Sequence, residues 1–313
     1  MSSVISARAV RVLATLLVGF IAACTNETRV DLLARAVGGG SGMPDASAGG
    51  GGAGGSAGHG GSANTPDAAP SGSHLIHRYS FSSDPTINDD TYVKDSVGSA
   101  HGILKGGATL DGAGHATLDG RDDYVDLPNG LVSSLTDATF VAWLSWNGGF
   151  CWQRVFDFGS TDLGEDIIGN ATSSVFATPA RCGSADAATD GPAAAFETCP
   201  MDMGVVRPCG AAGIIGSVDS TMPFPVLDNL PIVVVFDVSG GELRLYAGGE
   251  LVGAGLIRPL SEISDVNNWL GQSQWIQDPH LRGTYDEFRI YDSALTTAQV
   301  AAVERAGPDA VDP

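Results

Sequence analysis

Carboxylates are where chemistry would first be sought in this chain: thirty-six Asp and Glu stand against sixteen Lys and Arg, a net charge of −20. Asp286 and Glu287 are neighbours in the last apolar segment. Strand alternation sends consecutive side chains to opposite faces, so they are not expected to share a cleft. The sequence has no His-Glu-x-x-His pair or phosphate loop. Its six histidines, His59, His74, His77, His101, His115 and His280, lack metal-ligand spacing. No catalytic residue is assigned, and the chain is not expected to be an enzyme. One aromatic residue invites a binding role. Trp275 lies in the polar, turn-like stretch Gln272-Ser-Gln-Trp-Ile-Gln-Asp278, where a ring can stack on a sugar, with core packing as the plainer alternative. Trp146 and Trp269 sit in strand patterns and are expected in the core.

Five cysteines divide into Cys24, alone, and Cys151, Cys182, Cys199 and Cys209. Arg8 and Arg11 precede an apolar run from Val12 to Ala23 that ends at Cys24. As a helix that run spans roughly 18 Å, short of a hydrocarbon core of about 30 Å, so residues 1–23 read as a secretory signal. Ile21-Ala22-Ala23-Cys24 resembles the lipobox of bacterial lipoproteins, which implies that Cys24 is lipidated. Thr25 after it leans towards the outer membrane. Secretion favours two disulfides among the other four cysteines, in any of three pairings. Cys199–Cys209 would close a small loop, and Cys151–Cys182 would tie the middle of the chain to a sheet edge. A zinc site lacks the paired spacing.

Residues 24–74 carry the lipid site and a Gly-, Ser- and Ala-rich linker with almost no large apolar side chain, a composition expected to stay disordered. Residues 75–313 carry the whole net negative charge. Such a domain repels phosphate backbones, so nucleic acid is not an expected partner, and membrane contact is expected through the lipid anchor only.

From Leu75 the pattern becomes short apolar and polar alternations broken by Gly, Asn, Asp and Pro. Strands are expected at 77–81, 138–146, 154–158 and 232–236, and along 281–291 with Phe288 and Ile290 inward. Glu242–Tyr246 and Glu250–Gly253 flank glycines suited to a tight hairpin. Thr296-Thr-Ala-Gln299 is a capping box that opens one short helix over 298–306, closed by Gly307-Pro308. The fold class is therefore all-β, a two-sheet antiparallel jelly-roll sandwich with one short C-terminal helix. The absence of a βαβ rhythm excludes a doubly wound enzyme.

The blocks His77-Arg-Tyr-Ser-Phe81, Lys94-Asp-Ser-Val-Gly98, Leu118-Asp-Gly120 and Asp123-Tyr-Val-Asp-Leu-Pro128, with Trp269-Leu-Gly271 and Gly283–Leu295, resemble the laminin G-like jelly roll. That family belongs to the concanavalin A-like lectin/glucanase superfamily. The resemblance spans about 75–307 and gives a domain at 75–308 with a tail at 309–313. Residues 160–230 depart from it and read as an insertion. It implies first and last strands side by side, and one structural Ca2+ near them held by Asp95 and Asp286. The rival reading for both is turn capping and backbone hydrogen bonding. Retaining hydrolases of the superfamily use Glu-x-Asp-x-x-Glu on one strand, which this chain lacks. The resemblance implies a secreted, lipid-anchored recognition module at the outer membrane or cell surface that binds a glycan or a cell-surface protein. The alternatives are a structural envelope component and, last, a divergent glycoside hydrolase.

Overall fold

The computed structural model describes residues 74–310, apart from 85, 183–190, 199–213, 221 and 227. The leader, Cys24, the linker up to residue 73, Cys199, Cys209 and the final residues 311–313 lie outside the described residues. Strands are numbered along the chain. One sheet contains β1 (Leu75–Tyr79), β4 (Thr109–Leu110), β5 (Ala116–Asp119), β7 (Ala138–Trp146), β12 (Asn229–Asp237), β13 (Glu242–Ala247), β14 (Glu250–Leu256) and β16 (Arg282–Tyr291). Its order is β14-β13-β12-β7-β16-β5-β4, with β1 also on β16. The facing sheet contains β2 (Tyr92–Val93), β3 (Gly102–Lys105), β6 (Tyr124–Leu127), β8 (Phe156–Thr161), β9 (Ala171–Thr178), β10 (Ala193–Thr198), β11 (Ile214–Asp219) and β15 (Asn267–Leu270). It runs β11-β10-β9-β8-β15-β6-β3-β2. All pairings between these strands are antiparallel.

The sandwich read from the alternation is thus the fold, and the expected closure is present: β1 pairs with β16, Tyr79 opposite Phe288. Phe288 and Ile290 face the core, as their spacing predicts. Period two explains how β7 serves two layers. Phe140, Ala142, Leu144 and Trp146 enter the core between the sheets, while Val141 and Trp143 face outward. At the centre, the Phe140 ring lies 5.1 and 5.4 Å from Phe156 and Phe158 of the facing sheet. Phe236 and Phe288 of its own sheet lie 5.0 and 6.0 Å from it. Edge-to-face pairs of this kind add to the area they bury.

The outward residues of β7 and β12 would meet water without the helix α1 (Thr297–Ala306). Its Val300 and Val303 cover Val141, Trp143, Val233 and Val235. Both bonds of the capping box on Thr296 and Gln299 are made. The β13–β14 hairpin turns on Gly248 and Gly249, whose φ values of 59° and 89° suit the turn that matches strand twist.

Within the stretch 160–230 that reads as an insertion, the described residues supply β9, β10 and β11, which extend the second sheet to its edge. The stretches Ala171-Thr-Ser-Ser and Ala193-Ala-Ala are poor in β-branched and aromatic residues, so burial in the sheet, not propensity, makes them strands. Cys151 is disulfide-bonded to Cys182 with Cα atoms 5.5 Å apart, tying the turn before β8 to the end of the β9 hairpin.

Candidate functional site

Asp95 and Asp286 occupy separate places with separate partners. Asp95 is buried beside β1, and its carboxylate accepts backbone N–H groups from Arg78, Val97, Gly98 and Ala100. His77 Nδ1 lies 2.7 Å from it. Although burial opposes its charge, these donors hold its pKa well below the usual carboxylate range. A carboxylate ringed by N–H groups presents donors where a cation needs oxygens, so the surroundings of Asp95 do not fit Ca2+. Among the described residues, Asp119, Asp122 and Asp123 bring their ligand atoms within 4.8 Å of one another. Asp123 is buried and accepts the Asp119 N–H at 2.8 Å.

Asp286 lies on the outer face of the first sheet, and so does Glu287, against the alternation expected of neighbours. The reason is a β-bulge: β16 slips in register against β7 between Tyr285 and Glu287. Glu287 is neutralised by Arg78 at 2.7 Å and by Arg289, which stacks over Trp143. Among the described residues, no Lys or Arg pairs with Asp286. The side-chain amide of Asn229 donates to its Oδ2. Its Oδ1 stands 3.8 Å from Nε2 of His115, whose Nδ1 is 2.7 Å from Asp111.

These groups open onto a solvent-facing depression of about 300 Å³. Its floor is a row across four adjacent strands. Asn229 of β12 pairs with Ser145 of β7, Ser145 with Thr284 of β16, and Thr284 with Thr117 of β5. Directly paired residues share a face, so the row presents one amide and three hydroxyls over about 14 Å. Asp111, His115 and Asp286 complete the lining, which among the described residues has no apolar side chain and no Lys or Arg. Of these, sequence reading singled out Asp286 alone. The row was encoded in the outward positions of four strands, but its alignment depends on register.

Trp275 belongs to the other sheet. Its backbone N–H donates to Ser273 Oγ, its indole N–H reaches Glu197 at 3.4 Å, and the residue is half-buried. The loop that carries it is stapled down by an ion cluster that sequence reading missed. Arg154, only 1 % exposed, donates to Asp157 at 3.0 Å, to Asp278 at 2.7 Å and to the Trp152 carbonyl at 2.8 Å. Its guanidinium lies 4.1 Å over the Phe176 ring. Burial opposes its charge, but the attraction of Asp278 and Asp157 more than offsets this, and its pKa is raised. Three carboxylates share one cation here. Burial, with Arg154 opposing, pushes Asp157 up to about 6 and Glu197 up to about 7. The expected core tryptophans are buried: Trp146 between the sheets, and Trp269 on the outer face of the second sheet against Tyr124.

No curated protein sequence matches the chain. Among solved structures, domain 4 of AbnA, a GH43 extracellular arabinanase from Geobacillus stearothermophilus in complex with arabinotriose, is 20 % identical with a TM-score of 0.53. That match covers 74 % of this chain and 98 % of the domain. The CBM40 of Ruminococcus gnavus IT-sialidase bound to α2,3 sialyllactose is 15 % identical, covering 60 % of this chain and 95 % of that one at a TM-score of 0.43. Trypanosoma rangeli sialidase is 12 % identical at a TM-score of 0.47, covering 74 % of this chain, which spans only 33 % of the sialidase. These likenesses are of fold. Residues 216–301, from within β11 to the first turn of α1, match a laminin G-type family model of the concanavalin A-like lectin/glucanases superfamily.

Proposed function

We propose that this domain is a non-catalytic carbohydrate-recognition module that reads its ligand in the polar depression on the outer face of the first sheet. The observation that carries this reading is the aligned row Asn229, Ser145, Thr284 and Thr117, with Asp286 above it. Hydroxyl and amide groups at fixed strand spacing offer alternating donors and acceptors, the chemistry that sugar hydroxyls need. The arabinotriose-bound domain of like fold supports the choice of ligand class. Asp157 and Glu197, two of the carboxylates whose pKa values burial raises, are 0 % and 5 % exposed and closed off from any substrate.

A glycan screen on the full chain, followed by titration calorimetry, tests this. Thr284→Val keeps the shape and removes one hydroxyl, and should weaken binding about tenfold, the worth of one hydrogen bond. Unchanged affinity, or hydrolysis of the bound glycan, would overturn the reading. A second reading places the glycan against Trp275, whose half-buried indole is held by Glu197 on a stapled loop. Loss of binding in Trp275→Ala, with Thr284→Val unaffected, would move the site there.

The same proposal includes secretion and attachment to the outer membrane or cell surface through Cys24, with residues 24–74 as a tether. Intact mass of membrane-extracted protein should show a chain beginning at Cys24 with added acyl groups. A mass that retains residues 1–23, or lacks lipid, would remove the anchor from the account.

A further inference from the structure

Two side chains of the depression, His115 and Asp286, lie close together without a hydrogen bond between them. Asp111 takes two backbone N–H groups, from Ala113 and His115, on one oxygen, and its other oxygen lies 2.7 Å from His115 Nδ1. A carboxylate can only accept, so Nδ1 carries the proton and donates it. In the neutral ring this leaves Nε2 as a lone pair. Nε2 lies 3.8 Å from Asp286 Oδ1, too far for a hydrogen bond even with a proton between them. Asp286 Oδ2 is occupied by the Asn229 amide. One nitrogen acceptor and one anionic oxygen thus flank a gap that a donor with several N–H bonds would satisfy at both ends.

Charge selects the donor. Among the described residues the lining has two carboxylates and no Lys or Arg, within a chain of net charge −20. Uronates, sialates and sulfated sugars would be repelled. Size selects the scaffold. A site of about 300 Å³ is at the small end of ligand pockets, suited to one or two rings. We infer that the depression recognises a glycan containing an amino sugar with a free amine: the ammonium group sits between Asp286 and His115, and the neighbouring hydroxyls lie along Thr284, Ser145 and Thr117. This rests on the carbohydrate reading above and adds its chemical class.

The test uses the full chain and three probes in calorimetry at pH 7 with a chelator present: a β-1,4 glucosamine tetramer, its fully N-acetylated counterpart, and an alkyl diamine without hydroxyls. The glucosamine tetramer should bind at least tenfold more tightly than the acetylated one, and added salt should shrink the difference. Asp286→Asn, with an unchanged unfolding midpoint, should bring the two tetramers to the same affinity, and His115→Gln should reduce the preference in part. Equal binding of the two tetramers to the unaltered chain would overturn the amine and leave sugar recognition standing. Diamine binding as tight as that of the glucosamine tetramer, or binding only without chelator, would reduce the site to a simple cation site. Absence of any sugar binding here and in the glycan screen would remove the carbohydrate reading itself.

Discussion

Arg154→Met is expected to cost the domain about 3–5 kcal/mol of unfolding free energy, the loss found when one partner of a buried ion pair is removed. The methionine roughly preserves the volume that lies over Phe176, so the loss reports charge and not a cavity. Asp157, fully buried, would keep only Ser273 at 3.4 Å and the Gln274 backbone N–H at 3.1 Å on its Oδ2, and its Oδ1 has no partner. Asp278 would keep only the Ser273 hydroxyl, at 2.9 Å. The staple between the start of β8 and the 272–278 loop would open. Arg154→Lys should fall between the two, since a single ammonium cannot reach Asp157, Asp278 and the Trp152 carbonyl at once. Urea unfolding followed by tryptophan fluorescence measures all three proteins. A loss below about 1 kcal/mol in Arg154→Met would mean that the cluster contributes no more than an exposed pair.

The contrast between what was and was not readable in the sequence follows from the range of the interactions. β7 and α1 were legible because local signals agree with burial. Ala138–Trp146 alternates between two apolar layers, and Thr296 with Gln299 closes a cap within four residues. β9 and β10 were not legible. Their Ala and Ser residues carry no β signal of their own, and they become strands because Phe156 and Phe158 of β8 give them a core to complete. The bulge at Asp286 was hidden for a related reason: alternation fixes side-chain direction only while register holds, and register here is set by pairing with β7. Arg154 and Asp157 stand three residues apart and could have been suspected. Glu197 and Asp278 join them from positions distant in sequence, across sheet pairings that no spacing reveals. The Asn229–Ser145–Thr284–Thr117 row has the same origin, one residue from each of four strands.

Glu197→Gln should lessen the loss of stability that the natural domain shows as pH rises through about 7. In the folded protein burial lifts Glu197 from 4.5 to about 7, against the pull of Arg154 and with added repulsion from Asp157 and Asp278. The folded state therefore holds the proton more tightly than the unfolded chain does. Its stabilising effect is complete below about pH 4.5 and is lost as pH rises through about 7. The span corresponds to about 3 kcal/mol at 1.36 kcal/mol per pH unit. Asp157, lifted to about 6 by the same burial, loses its share at lower pH and in both proteins. Glutamine cannot ionise, and its amide oxygen can still accept from the Trp275 indole, so the bond that orients this ring is kept. Urea midpoints at pH 5, 6, 7 and 8 should fall for both proteins, since Glu304 is also lifted to about 7 by burial, but less steeply for the variant, which becomes the more stable of the two at pH 8. Parallel curves would place the titration elsewhere, and Glu197 would then be an anchor for Trp275 without being a charge that the fold keeps suppressed.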